Sequence, residues 1–497
     1  MTSHRMNVQP MPPAGDVSWP ARLVAARAND ASIFNPYLIA FGIIYVLWSW
    51  VHLPSSIWVR SLFVCYLIWR MKPDIIIPFV LTCTQLRLQI GSGDSFDGVQ
   101  AMAEQMTGFE QYAFMVPCVL YAIRTSVAAV SVRVARRAEF PFWLYNIYLF
   151  GMLFVLVGAI SAYGKPGWTA GVRDYCVVGL YFYGLLMPAC SKQQLLQLAT
   201  GFAILGMITV LASLLVGFSG RQLWVLLPIA GSFAPLLLLR GGRMLQCVMA
   251  ASYSVAGFVF AVEATFTVLI LWLWNMIASI CLGLLGGKAL RGAVASALMY
   301  GLFVMTLGMF FYAAFTHDPT LELHESVKGG QGSTLDRMTF KLRADRGPIW
   351  WGAMREVTEN PTMCGIPAPQ FMIRSLGKEA IWPYSTHSIL MDPLLRLGLV
   401  AGPIVLLILF HAVTVSRNAI ARETDVGIAV LGLAVISNIV LGGATLPYML
   451  NERAAEHLYM AAGLLGVYGL RRPSAGIHSS HANHQPASSQ PQARPAA

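Results

Sequence analysis

Residues 141–163 read PFWLYNIYLFGMLFVLVGAISAY, a run without one acidic or basic side chain. A helix needs about 20 mostly apolar residues to cross the hydrocarbon of a bilayer, and this stretch has that length. Thirteen further segments are of the same kind: 37–53, 57–70, 74–91, 111–132, 174–190, 195–218, 222–239, 244–262, 264–286, 292–316, 388–414, 425–447 and 454–470. Some are short or tightly coupled (57–70 with 74–91, 244–262 with 264–286), so the expected number of spans is 12 to 14. The bulk composition agrees. Of 497 residues 56% are apolar and only 11% charged, with a mean hydropathy of +0.61, whereas soluble domains carry roughly 25% charged residues. That balance excludes a water-soluble enzyme of this length, and equally a disordered or collagen-like chain. The expected fold class is an all-α polytopic integral membrane protein with one long outside loop before its late spans.

The net charge of +11 would suggest nucleic acid in a soluble protein, but here its distribution carries the meaning. With the N-terminus cytoplasmic, the inside segments hold 18 Lys/Arg, among them Arg133, Arg136, Arg137, Arg291, Arg417 and Arg422. The short outside loops hold 4: Lys165, Arg173, Arg221 and Arg453. Lys and Arg favour cytoplasmic loops, so both termini are expected in the cytoplasm of a bacterial inner-membrane protein, with no nucleic-acid partner. Seven of the eight cysteines lie in or at the ends of spans and Cys364 alone lies in the long outside loop, which leaves no disulfide framework. Residues 1–36 lack the apolar core of a signal peptide, so the first span is expected to be retained.

The organisation follows: 1–36 a cytoplasmic tail, 37–316 membrane helices 1–11, 317–386 a periplasmic loop domain, 387–470 membrane helices 12–14, and 471–497 a disordered cytoplasmic tail. The histidines of that tail, His478, His481 and His484, read as scattered residues of a flexible segment rather than a metal site. The loop domain balances 8 Lys/Arg with 8 Asp/Glu, and a loop of this length in an economical chain is usually functional. Its clearest element is an amphipathic helix: Asp345 can cap it, Pro348 fits its first turn, Trp350, Ala353/Met354 and Val357 share one face, and Asn360-Pro361 ends it. Residues 361–371 read as turns, and Trp382-Pro383-Tyr384 leads back to the bilayer at His387.

The chain contains no P-loop, no dinucleotide fingerprint, no DxD carboxylate pair and no GxSxG elbow. Its cytoplasmic loops are too short to form a nucleotide-binding domain. Any substrate is therefore lipid-borne or already outside, where Arg173, Arg221, Arg343, Arg346, Arg355 and His387 are the candidates. Guanidinium forks suit phosphate, and a histidine at a water–lipid boundary exchanges protons near neutral pH. Together they would suit transfer from a lipid diphosphate. The plainer alternative pairs the loop arginines with Asp345, Glu356 and Glu359 on a solvated surface. Asp392 and Arg396, four residues apart in the span 388–414, can pair on one helix; a charge in a bilayer is functional by default, though a structural ion pair beneath the site is an equal reading. Arg60, Arg87 and Arg124 also fall within spans, Glu263 is a reserve base, and Trp48, Trp50, Trp58, Trp69, Tyr181 and Tyr183 read as an interfacial belt.

The stretch from His387, His-Ser-Ile-Leu-Met-Asp-Pro-Leu-Leu-Arg-Leu-Gly-Leu-Val-Ala-Gly, resembles the His-Asn/Ser…Leu…Gly-Leu-Ile-Gly signature of the O-antigen ligase and polymerase (Wzy-type) family of membrane proteins. Upstream, Arg346…Trp350-Trp351-Gly-Ala-Met…Glu359-Asn360-Pro361…Gly365…Phe371 is similar to that family's loop pattern, and Gly220-Arg221…Leu227-Pro228-Ile229-Ala230 resembles its Arg…Pro-Asn motif. Ser388 stands where Asn is usual, Arg396 where the family has an acidic residue, and Pro367 where it has a loop Gly. With those departures the chain looks closest to exopolysaccharide or capsule polymerases.

The resemblance implies a metal-independent glycosyltransferase without cofactors. It would polymerise undecaprenyl-diphosphate-linked oligosaccharide repeat units at the periplasmic face, in exopolysaccharide or O-antigen biosynthesis. His387 would contact or deprotonate the acceptor, and Arg221 and Arg346 would bind the diphosphate. Arg173, Arg343, Arg355, Asp392 and Arg396 are secondary, substrate-binding candidates, and a chain-length regulator is a further partner. The alternative within the enzyme class is an O-antigen ligase that moves the glycan to lipid A-core or protein. The alternative of another class is a lipid-linked oligosaccharide flippase, against which stands the lack of the two similar halves common in transporters.

Overall fold

A computed structural model describes residues 140–161, 175–186, 288–316, 346–359, 371–375, 378–382, 388–423, 425–443 and 455–470, with parts of 271–282 and the single positions 361 and 386. The spans expected from 37 to 132 and from 195 to 262, and both tails, lie outside the described residues. The chain divides into two compact units. One is Met1–Tyr121, Cys190–Ile277 and Asn451–His457; the other is Ala122–Ala189, Ala278–Leu450 and Leu458–Ala497. In the first, Asn275 donates its side-chain amide to the Leu271 carbonyl one helical turn back, at 2.8 Å. Nearly all other described residues belong to the second unit.

That unit is built of helices: α1 (Phe142–Ser161), α2 (Leu180–Leu186), α3 (Lys288–Phe315), α4 (Gly347–Glu359), α5 (Met391–Arg422), α6 (Val426–Ser437) and α7 (Ala455–Gly469), whose first residues belong to the other unit. A short antiparallel hairpin, β1 (Phe371–Ser375) and β2 (Lys378–Trp382), lies between α4 and α5. Leu290–Phe315 (26 residues) and Met391–Arg422 (32 residues) are long and apolar enough to cross a membrane. Local chemistry sets the helix ends. Pro141 suits a first helical turn, and its carbonyl accepts the Tyr145 N–H at 3.0 Å. The Asp425 carboxylate caps α6 by accepting from Gly427 N at 2.8 Å. Ile428–Ile436 are buried on every side, as expected of an apolar helix at the centre of a bundle. Beyond Ser437 the helix widens into a π turn, Asn438–Gly442. Gly443 N–H bonds the Asn438 carbonyl at 3.1 Å, and the Val440 carbonyl accepts from Thr306 Oγ1 at 3.2 Å.

Paired contacts give each helix its direction. Gly292 faces Ala421, and Arg417 Nε donates to Ser296 Oγ at 2.7 Å, while Phe310 and Ala313 meet Met391 and Leu395 at the opposite end; α3 and α5 are therefore antiparallel. Trp143 lies edge-on to His411 with centroids 6.4 Å apart, and Gly151 lies against Ile404, so α1 and α5 are antiparallel too. Gly432 packs on Ser416 and Ile420, while Ile389 N–H bonds the Gly443 carbonyl at 2.7 Å, which opposes α5 and α6. Arg422 Nη1 donates to the Gly469 carbonyl at 2.7 Å, joining the C-terminal ends of α5 and α7. One end of the bundle thus carries Arg291, Arg417 and Arg422, and the other receives the long loop. Large apolar side chains face outward, including Ile160 (71% exposed) on α1 and Val304 (67%) on α3.

Glycine permits a close helix crossing. Gly184 of α2 and Gly463 of α7 meet backbone to backbone, and a Cβ on Gly463 would lie 2.2 Å from the Tyr181 carbonyl oxygen. Overpacking of this kind costs about 1–3 kcal/mol. Gly463→Val is therefore expected to lower the melting temperature of the detergent-purified protein by several degrees. Gly301→Ala, whose Cβ meets nothing within 4 Å, leaves it unchanged or raises it slightly.

Candidate functional site

The loop expected to carry function is anchored by α4. Its buried face is Ile349, Trp350, Ala353 and Val357, packed against Phe310 and Ala313 of α3 and Met391 and Leu395 of α5. This is the apolar face that the spacing of Trp350, Ala353 and Val357 predicts, on a helix that stops at Glu359, just before Asn360-Pro361. The Trp350 ring lies 5.1 Å from that of Phe310 and is 1% exposed. A buried indole N–H needs an acceptor, and Trp350 Nε1 finds the Thr386 carbonyl at 2.8 Å.

The hairpin is a correction to the all-α expectation. Phe371 stands opposite Trp382 and Ser375 opposite Lys378. Strands of five residues holding Arg374, Lys378 and Glu379 give little alternation to read. The signal available was the two-residue connection ending in Gly.

Around the junction of loop and α5 the polar groups form a closed knot. The Asp392 carboxylate, 3% exposed, accepts from Thr386 N–H at 2.7 Å and from Thr386 Oγ1 at 2.6 Å, both through Oδ1. Asp392 N–H donates back to the Ser388 carbonyl at 2.9 Å, and Leu390 N–H reaches Ser388 Oγ at 3.3 Å. Thr386 and Ser388 are both buried.

The expected continuous span 388–414 is broken. Gly398 has φ 74° and ψ −178°, a region open essentially to glycine alone. The Leu399 N–H, cut from its helical acceptor, bonds the Pro361 carbonyl at 2.9 Å. In a straight helix residues 394 and 402 would stand about 12 Å apart along the axis. Instead a Cβ on Gly402 would lie 2.9 Å from the Leu394 Cα and from the Pro393 carbonyl oxygen. Residues 391–397 therefore form a short arm folded back on the start of a long arm, 399–422. The long arm alone is about 36 Å in length, enough to cross a bilayer.

Arg346 leads into α4 and is partly buried; Arg396 follows Leu395 on the short arm and is also partly buried. Each is thus a chain neighbour of the apolar cluster that contains Ile349, Trp350 and Leu395. The hydrogen bonds described at Asp392 tie it to Thr386. Arg355 stands on the exposed face of α4 with its Nε 3.8 Å from Glu359, which is the solvated pairing named as the plainer alternative for a loop arginine. His387, Arg221, Arg173 and Arg343 lie outside the described residues. Among the described residues no three His, Cys, Asp or Glu side chains converge as metal ligands would.

A second polar contact lies near the middle of the long arm of α5, and it places Tyr181 in the core rather than in the expected interfacial belt. The fully buried Tyr181 hydroxyl is 2.6 Å from His411 Nδ1, and the imidazole is ringed by Tyr181 and Trp143. A lone histidine in the apolar run 404–413 was the available signal. The chain matches no protein-family model, no curated protein and no solved structure.

Two outcomes follow from this geometry. Gly398→Ala forces a Cβ into a strained conformation costing about 1–3 kcal/mol; it is expected to lower thermal stability and to increase protease cleavage near Pro361. Arg355→Ala removes an exposed pair contributing at most about 1 kcal/mol, so the melting temperature is expected to shift by no more than one or two degrees.

Proposed function

We propose that this chain is a polytopic inner-membrane glycosyltransferase that polymerises glycan repeat units carried on undecaprenyl diphosphate at the periplasmic face. The observation that carries the reading is the docking of the Trp350 helix on the short arm of a broken membrane-length helix. That arrangement brings the loop that bears Arg346 to the junction where His387 stands in the chain, between Thr386 and Ser388. Two of the three motifs that resemble the ligase and polymerase family, those beginning at Arg346 and at His387, belong to this junction and to the loop segment that reaches it. A broken span supports a substrate that arrives through lipid, since irregular backbone at membrane depth is tolerated where it is buried in protein or lines a cavity. The outward-facing apolar side chains of α1 and α3 support a bilayer as their solvent, because soluble monomers rarely expose contiguous patches beyond a few hundred Å². The collection of Arg291, Arg417 and Arg422 at the other end supports a cytoplasmic position there.

In this reading an acceptor hydroxyl attacks the anomeric carbon of the donor glycan. The bond from that carbon to the diphosphate oxygen breaks, and undecaprenyl diphosphate leaves with the electron pair. His387 takes the hydroxyl proton, while Arg221 and Arg346 hold the departing charge. Removing a general base typically costs 10²- to 10⁴-fold. His387→Ala and Arg221→Ala are therefore expected to abolish long polymer and to accumulate single repeat units outside the cytoplasm, at normal protein level. Polymer of normal length in the His387→Ala strain overturns the proposal. Repeat units trapped on the cytoplasmic side would identify a flippase instead.

A further inference from the structure

The knot at the head of α5 contains a carboxylate that the proposed reaction does not use. We propose that Asp392 is a positioning residue: it fastens Thr386, and with Trp350 and Ser388 holds the backbone rigid on both sides of position 387. This rests on the reading of His387 as the reacting base.

The geometry is unusually complete. On the N-terminal side Thr386 is held at three atoms. Its N–H and its hydroxyl both donate to Asp392 Oδ1, at 2.7 and 2.6 Å, and its carbonyl accepts from Trp350 Nε1 at 2.8 Å. On the C-terminal side the Ser388 carbonyl accepts from Asp392 N–H at 2.9 Å, its hydroxyl accepts from Leu390 N–H, and Ile389 N–H is tied to the Gly443 carbonyl at 2.7 Å. Asp392 thus bonds the chain both before and after position 387, once through its side chain and once through its backbone. Four elements meet at this one point: α4 through Trp350, the loop end through Thr386, the short arm of α5 through Asp392, and the end of α6 through Gly443. The knot is almost wholly withdrawn from solvent. Such a support shell is what holds a reacting group within a fraction of an ångström of its productive geometry. Two of the bonds need an oxygen acceptor at Asp392 and not a negative charge, and this separates positioning from binding or proton transfer.

The test uses cells lacking their own copy of the gene, complemented with the full-length chain, and scores the ratio of polymer to single repeat units per folded molecule. Folded protein is measured by size-exclusion chromatography of the membrane extract. Asp392→Ala and Thr386→Val are expected to lower that ratio at least tenfold. Asp392→Asn keeps the acceptor oxygen and is expected to lose no more than about threefold, and Thr386→Ser no more than twofold. Trp350→Phe keeps the ring but loses the N–H, and falls between the two groups. Equal losses in Asp392→Asn and Asp392→Ala would overturn the assignment in favour of a role for the charge. Full activity of Thr386→Val and Asp392→Ala would overturn it outright. His387→Ala is run alongside: if that variant polymerises normally the reaction itself is wrong, whereas an inactive His387→Ala beside active knot variants condemns the positioning role alone.

Discussion

A backbone amide released from its helix must be paired again. Leu399 finds the Pro361 carbonyl, and the organisation of this end of the molecule depends on that exchange. The left-handed turn at Gly398 lets the chain reverse, the reversal frees the amide, and the loop segment after α4 satisfies it. A loop that could otherwise stand away in solvent is thereby drawn to the broken helix. The absence of a Cβ at Gly402 completes the arrangement, since it allows the two arms to lie against each other.

The same accounting governs the side chains. Burying an unpartnered polar group costs about 1–3 kcal/mol by mutational measures. Trp350, Thr386, Ser388 and Asp392 are nearly all withdrawn from solvent, and each has a described partner within this group. The apolar cluster beneath them, from Phe310 to Leu395, supplies the burial that holds the polar knot in place. Polar and apolar contacts thus have separate tasks: the cluster attaches the loop, and the hydrogen bonds set its register. Along the long arm of α5 aromatic rings gather, with Tyr148 of α1 stacked on Tyr175 at 5.1 Å and Tyr181 of α2 bonded to His411.

Much of the architecture was legible in the residues, for a local reason. Long apolar runs and helical spacing are one-dimensional signals, so helix was expected at 141–163, 292–316, 388–414, 425–447 and 454–470, and α1, α3, α5, α6 and α7 stand there. The face of α4 was readable from Trp350, Ala353 and Val357 in the same way. The site was less legible. The spacing of Asp392 and Arg396 carried no sign of the bonds that tie Asp392 to Thr386, six residues back. The hairpin at 371–382 is too short to show alternation, and Tyr181 meets a histidine 230 residues away.

By itself, then, the order of the amino acids determined the apolar segments and the amphipathic helix of the loop, because each follows from burial of side chains at a fixed period. Only the tertiary structure decided that the segment beginning at Met391 breaks at Gly398, that Pro361 closes the break, and that Thr386 is seized by Asp392 and Trp350. Those choices depend on which buried donor finds which acceptor across large separations in the chain, and periodicity carries no record of that.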